Sequence, residues 1–287
     1  MNEFISTVYK NPLACAVGLA LAYGFLVALA GLQLRQNAAV TNDFKLTAAQ
    51  NGWQRWALYA CVLFHTGLLA YTVWLPQPQG GIALALGFAE ALSLATCVGM
   101  WVFAIEERWV NLFSLRPLAL LLPAFAVVLA ATVPSTPVTM SAQSATHVVC
   151  AIAAHGMALL CAGHALLIWG LDASLRRSQS HALFDALVRH CPPLVVLERL
   201  LLSLVGWVIA LLTATVVLGA WAGVLRLDHK TVLTVLSLLA WCGVWWGYHQ
   251  RTWRGRTLTW AVWGATALLL LSYIGSRFVL QAILHRV

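Results

Sequence analysis

Long apolar runs separated by short polar connections dominate the pattern along the chain. Eight runs are long enough to cross the roughly 30 Å hydrocarbon core of a bilayer as helices. They lie near 12–33, 56–75, 81–104, 117–134, 145–171, 194–222, 230–249 and 258–283. The runs are apolar on all sides, whereas the strands of a membrane barrel alternate polar and apolar residues. The pattern therefore predicts an all-α fold, in which residues 1–287 form a single integral membrane domain of about eight transmembrane helices.

The amino-acid composition agrees with a membrane bundle. Hydrophobic residues make up 61% of the chain and charged residues only 9%, whereas soluble domains carry roughly 25% charged residues. Such a chain cannot cover its surface with solvated side chains. The first apolar segment, Leu13 to Leu34, lacks a basic leader and a clear cleavage site, so we expect it to stay as a helix.

The basic residues predict how the helices are oriented. Most of the 17 Lys and Arg side chains lie in or beside the connections after the first, third, fifth and seventh runs. Connections rich in Lys and Arg remain in the cytoplasm, so both termini are expected outside it. This placement explains the formal net charge of +8 as a topology signal, and it argues for the lipid bilayer and against nucleic acid as a partner.

The longest connection on the predicted cytoplasmic side is Asp172 to Pro193. Its apolar residues Leu183, Phe184, Leu187 and Val188 fall at helical spacing beside basic ones. We expect an amphipathic helix here. It either docks a soluble cytoplasmic partner or lies against anionic lipid.

Ionisable side chains within or bordering the apolar runs are the candidates for function, since titrating groups are costly at membrane depth. The predicted topology puts His147, at the start of the fifth run, and His285, at the end of the eighth, at one membrane face. Asp228 lies at the same face. Two imidazoles from different helices can bind both axial positions of a haem iron. Arg277 or Lys230 can pair with the propionates.

Other histidines allow more than one interpretation. For any single histidine, a neutral imidazole bonded to a neighbouring helix is the alternative to a ligand. His65 and His249 lie deeper or toward the cytoplasm, where they form either a second polar site or a bond between helices. His155 and His164 are nine residues apart, so they point to opposite sides of the fifth helix and cannot serve one centre.

The seven cysteines are scattered, with no C-x-x-C pair. They therefore predict neither a disulfide framework nor a zinc site nor covalent attachment of haem. The sequence also lacks H-E-x-x-H and G-x-S-x-G motifs, which disfavours an intramembrane hydrolase.

The C-terminal half carries motifs that resemble the cytochrome c assembly protein family, most closely its CcsA-like branch. They are THVV from Thr146, PPLVVLERLL from Pro192, LDHKTVLTVLSLLAW from Leu227, TWRGR from Thr252 and SYIGSRFVLQ from Ser272. The resemblance is close over residues 145–287. The N-terminal half is similar only in its pattern of spans and in His65.

The resemblance implies an inner-membrane protein that binds haem b without a covalent bond, presents it at the outer face and supports cytochrome c maturation without an enzymatic reaction. Haem and other maturation proteins are then the partners. His147 matches the family's first external histidine, His249 a histidine at the end of a later helix, and His285 lies about one residue from the second external histidine. The family's tryptophan-rich haem platform is reduced here to a short connection with Trp221 and Asp228.

Two other functions remain as alternatives. A small-molecule transporter would favour helices broken by Gly or Pro at corresponding positions of two halves, and the sequence has no such pairing that we would defend. The similarity to HemX-like proteins implies a regulator of haem synthesis that acts through a soluble partner.

Overall fold

The computed structural model describes residues 12–39, 46–76, 82–133, 135, 137–176, 191–224 and 228–278. Its helices are α1 Pro12–Ala39, α2 Leu46–Val73, α3 Phe88–Glu106, α4 Arg116–Thr132, α5 Ala142–Arg176, α6 Leu194–Trp221, α7 His229–Gln250, α8 Gly255–Leu270 and α9 Ser276–Phe278. Its strands are β1 Trp74–Pro76, β2 Ile82–Ala85 and β3 Pro137–Met140. A short 3₁₀ helix, Phe113–Leu115, precedes α4, and a π-helical turn, Leu271–Gly275, connects α8 to α9.

Helices α1 to α7 are each long and apolar enough to cross a membrane, which makes seven such helices in the described part of the chain. This confirms the predicted all-α polytopic bundle. Helix α8 alone has 16 residues, but the helical path continues through the π-helical turn into α9. The eighth apolar run is therefore helical as far as Phe278, the last residue that the structure describes. The orientation of the termini stays a prediction.

Three short strands lie at one end of the bundle, and the apolar pattern of the sequence does not predict them. β1 pairs antiparallel with β2, and β2 pairs antiparallel with β3. Helix α3 begins at Phe88 and not near 81, because Gly87 stands at its N-cap and donates its amide to the Glu90 carboxylate at 3.0 Å. This is half of a capping box, a local signal for the start of a helix.

The bundle has two halves. Helices α1 to α4 pack mainly on one another, as do α5 to α8, and the contact between α3 and α5 joins the halves. Gly156 of α5 allows this close approach, because a Cβ atom there would overlap the carbonyl oxygen of Ala95 and lie 3.1 Å from the amide nitrogen of Gly99. Tyr23 and Trp241, both fully buried, fill the interior of the first and second half.

The connection Asp172 to Pro193, predicted as an amphipathic helix, lies largely outside the described residues. Helix α5 extends to Arg176, and the description resumes at Cys191. All seven cysteines lie in the described ranges, and none of them forms a disulfide.

Candidate functional site

His147 lies near the start of α5, at the end of the bundle that carries the strands. Its Nδ1 is 2.8 Å from the carbonyl oxygen of Thr215 on α6. A carbonyl only accepts hydrogen bonds, so in the neutral ring Nδ1 carries the proton and Nε2 keeps its lone pair. Histidines that bind metals typically donate their other nitrogen to a carbonyl or carboxylate in this way. The side chain of His147 is thus prepared to bind a metal through Nε2.

His147 opens onto a cavity of about 200 Å³ between α5, α6, α7 and the π-helical turn. The polar groups on its wall include His155, Thr215, Asp228, Lys230, Thr231 and Tyr273. Cavities that enclose a ligand usually measure roughly 300–1,000 Å³. A macrocycle bound by His147 therefore has to extend past these walls.

Asp228 caps the N-terminus of α7 at the edge of this cavity. Its Oδ1 accepts a hydrogen bond from the amide of Thr231 at 2.9 Å. This bond, with smaller contributions from His229 and Lys230, holds the pKa of the Asp228 carboxyl below its usual value. The cavity therefore has a negative charge at its rim at neutral pH.

Replacing Asp228 by Ala is expected to loosen the first turn of α7, because loss of a capping side chain typically costs about 0.5–2 kcal/mol. The capping contribution of the carboxylate is present above its unfolded pKa, near 3.9. It is lost as the pH falls through the lower folded pKa. Hydrogen exchange of the Thr231 amide at neutral pH should be faster in D228A than in the wild type. D228N keeps an acceptor and should exchange slowly, whereas equal exchange in D228A and the wild type would contradict the capping role.

The site contains a histidine that the sequence analysis set aside. His155 lies two turns further along α5 and lines a small cavity together with His147 and Tyr273. Its Nδ1 is 2.7 Å from the carbonyl oxygen of Ala151, and its Nε2 is 3.0 Å from that of Leu269. Eight residues correspond to about 80° around an α-helix. The spacing of His147 and His155 therefore indicates that the two rings lie on the same side of α5.

The π-helical turn Leu271–Gly275 begins two residues after Leu269, whose carbonyl oxygen faces His155 Nε2. Such turns are frequent at functional sites. The same carbonyl oxygen accepts a hydrogen bond from Ser272 Oγ at 2.7 Å. The turn also presents Tyr273 to His155, with ring centroids 6.4 Å apart.

His249 lies at the opposite end of the bundle from His147. Helix α7 has 22 residues, which span about 33 Å at 1.5 Å per residue, and His249 stands near its C-terminus. The exposed ring lies against Trp245, with centroids 4.2 Å apart, and its Nδ1 is 2.8 Å from the Trp245 carbonyl oxygen. The structure therefore does not bring His249 to the cavity at His147.

His65 is fully buried in the first half of the bundle and lines a second cavity of about 530 Å³. Its Nδ1 is 3.2 Å from the hydroxyl of Tyr23, and its Nε2 is 2.9 Å from Ser93 Oγ. Glu90 lines the same cavity. Both interpretations of His65, a bond between helices and a second polar site, agree with these contacts.

Trp221 and the backbone of Arg277 lie at or near the end that carries His147. Trp221 ends α6 there and is 67% exposed, which leaves a flat aromatic surface at the membrane face. Arg277 belongs to α9, but its side chain is outside the described residues, as is all of His285. The pairing of His147 with His285 on one iron therefore stays a prediction.

The arrangement suits a metal that another molecule already coordinates, and it does not suit a bare metal ion. In the described ranges, no three His, Cys, Asp or Glu side chains cluster to hold a bare metal ion. A haem iron needs only one or two axial ligands from the protein. His147, with its ring fixed by Thr215 and a cavity beside it, fits that requirement.

Known proteins show similarity to most of the chain. The family model described as "Cytochrome C assembly protein" matches residues 82–284. The inner membrane protein YpjD of Escherichia coli K12 is 25% identical over 250 residues, which cover 83% of this chain and 91% of that protein. The YpjD proteins of the O6:H1 and O157:H7 strains give the same values. No solved structure matches the chain.

Proposed function

Because this chain belongs to the cytochrome c assembly protein family, we propose that it binds haem b without a covalent bond at one face of the bacterial inner membrane and supports cytochrome c-type biogenesis. The location follows from its similarity to inner-membrane proteins and from the spanning helices of its described residues. The observation that carries the proposal is the hydrogen bond of His147 Nδ1 to Thr215, which leaves Nε2 for an iron.

The proposed roles of the residues follow from their places in the fold. His147 would supply one ligand to the iron and His285 the other, and Arg277 or Lys230 would pair with the propionates. Asp228 would be a further contact at the rim of the cavity, away from the propionates. Trp221 provides a flat surface for the macrocycle. Haem supplies the redox and ligand-exchange chemistry, and the protein binds it, orients it and excludes water.

His65 and His249 are proposed as separate contact points for haem, one inside the first half and one at the opposite membrane face. No bond-making step is assigned to the chain. Other maturation proteins, or a soluble cytoplasmic protein, are the partners that this role requires.

An absorption spectrum of the purified protein tests the proposal. Protein prepared in mild detergent from cells with ample haem is expected to show a stoichiometric six-coordinate b-type spectrum in both oxidation states, because two imidazoles fill the axial positions. Extraction into pyridine identifies the pigment as non-covalent haem b. A colourless protein that also fails to take up added haem would contradict haem binding.

The cavity at His65 favours a second candidate function, the transport of a small polar molecule. Its volume of about 530 Å³ falls within the roughly 300–1,000 Å³ of typical ligand cavities. Its wall includes His65 and Glu90, which are buried ionisable groups of the kind that mark substrate pathways in membrane proteins. Uptake into vesicles by the haem-free protein, stopped by a protonophore and lowered by His65→Ala, would support transport. Equal uptake in empty vesicles would exclude it.

A further inference from the structure

A buried cluster of polar side chains lies at the end of the bundle opposite to His147, where α3 ends and α4 begins. Arg116 donates from Nε to Glu107 Oε1 at 2.6 Å and from Nη1 to Gln54 Oε1 at 3.1 Å. His164 of α5 places its Nε2 3.4 Å from Glu106 Oε2. All five residues are less than a tenth exposed. None of them belongs to the proposed haem site.

The contact between Glu106 and His164 joins two hydrogen-bond acceptors unless a proton is present. The Nδ1 of His164 is 3.0 Å from the Leu160 carbonyl oxygen, so a neutral ring carries its proton on Nδ1 and turns a bare lone pair on Nε2 toward Glu106. Neither this Nε2 nor Glu106 Oε2 has a hydrogen-bond partner among the described residues. A proton on either atom converts the contact into a donor–acceptor pair.

The charges of the cluster require the same proton. Arg116 and Glu107 form an ion pair and neutralise each other. An ionised Glu106 beside a neutral His164 would then leave one uncompensated negative charge in an apolar bundle, which is strongly unfavourable. One proton shared by Glu106 and His164 makes the cluster neutral.

Among the described residues, Arg116 is the only buried Lys or Arg, so the elements around the pair supply no other buried compensating charge. Gln54 of α2 and the buried thiol of Cys161 on α5 are neutral. Helices α6 and α8 also pack against α5. Glu198 of α6 and Arg254 at the start of α8 lie 3.6 Å from each other and form their own pair. The other arginines at this end whose side chains the structure describes are all exposed; they are Arg55, Arg108, Arg199, Arg251 and Arg256.

We propose that Glu106 and His164 form a proton-binding site that holds one proton in the folded protein at neutral pH. The site lies near the membrane face that is predicted to be cytoplasmic. It goes beyond the proposed function and does not depend on it, because the two sites share no residue.

The proton gives the stability of the protein a defined dependence on pH. In an unfolded chain, Glu and His have pKa values of about 4.3 and 6.5, so the unfolded pair is free of protons above about pH 7. The folded state then holds one proton more than the unfolded state, and stability falls as the pH rises. The contribution of this pair to the unfolding equilibrium constant should increase about tenfold per pH unit above pH 7 and level off below about pH 6.5.

The variant Glu106→Gln tests this dependence. Its side chain keeps the shape of glutamate, and its amide can donate to His164 Nε2, so the variant should fold. Detergent-induced unfolding of the full chain should show the slope above about pH 7 in the wild type and its loss there in E106Q. Comparing the two proteins also removes the effect of cysteine thiols, which titrate near 8.5. A wild-type slope that E106Q retains would overturn the proposal.

Glu90→Gln is a matched control, because Glu90 is a buried carboxylate on the same helix α3. It should retain the wild-type slope. Stability that depends on sodium concentration and not on pH would assign a bound cation to the cluster and would also overturn the proposal.

A spectroscopic measurement detects the proton without unfolding. At neutral pH, the infrared difference between the wild type and E106Q should contain the carbonyl band of a protonated carboxylic acid if the proton resides on Glu106. If the proton resides on His164, ¹⁵N spectra of labelled histidine should contain an imidazolium that H164Q lacks. Absence of both signals would refute the site.

Discussion

Replacing His147 by Ala is expected to remove the haem spectrum of the purified protein. The change takes away the axial ligand whose ring the Thr215 carbonyl holds in the metal-binding tautomer. Loss of a residue that only orients a metal ligand typically lowers affinity about 10–100-fold, and loss of the ligand itself should exceed this. Titration of haem into the apoprotein, followed by absorption, measures the effect. The double variant with His285→Ala should show no residual six-coordinate signal.

His229→Ala is the matched control for this experiment. His229 lies at the same end of the bundle and is exposed, but it is not on the wall of the cavity. Its loss should leave the spectrum unchanged. Added imidazole should restore a six-coordinate spectrum to H147A, since a free ring can occupy the vacated axial position. An unchanged spectrum in H147A would show that another residue binds the iron.

Replacing Gly156 by Ala is expected to cause a large loss of stability. The new methyl group would meet the backbone of α3 at Ala95 and Gly99, where no flexible side chain can move aside. Overpacking typically costs about 1–3 kcal/mol, and a collision with backbone should reach about 3 kcal/mol or separate the two helices. Thermal unfolding in mild detergent measures the change.

Gly206→Ala provides the comparison for the Gly156 variant. Gly206 lies on α6, and an added Cβ would meet no atom within 4 Å. Alanine should therefore stabilise this helix by about 0.5–1 kcal/mol, the usual gain over glycine. If G156A and G206A unfold at the same temperature, the close approach of α3 and α5 does not support the bundle.

The spanning helices were predictable because their signal is local. A bilayer demands about 20 consecutive apolar residues, and segments such as Leu194–Trp221 carry that signal in every turn. The first residues of the third apolar run were harder. Ile82–Ala85 is apolar as well, but it pairs with Trp74–Pro76 and Pro137–Met140. The second of these partners, Pro137–Met140, is distant along the chain, and the sequence of a short apolar segment does not reveal such a partner.

The candidate site was predictable only in part. The position of His147 at one end of a helix follows from the spans, whereas its bond to Thr215 depends on the register between α5 and α6. The contacts of His155 with Leu269 and Tyr273 depend on how α5 packs against α8 and the π-helical turn, which no local sequence signal predicts. Likewise, nothing local in Glu106 or His164 indicates that α3 and α5 bring them together.

The bond between His147 and Thr215 also has a consequence for the order of synthesis. The two residues are 68 positions apart, so at about 5–20 residues per second the ribosome adds Thr215 roughly 3–14 seconds after His147. Until α6 has entered the membrane beside α5, the ring has no carbonyl from α6 to select its tautomer. His147 therefore acquires its metal-binding tautomer only after α6 has been synthesised, and the sequence of α5 alone does not determine that tautomer.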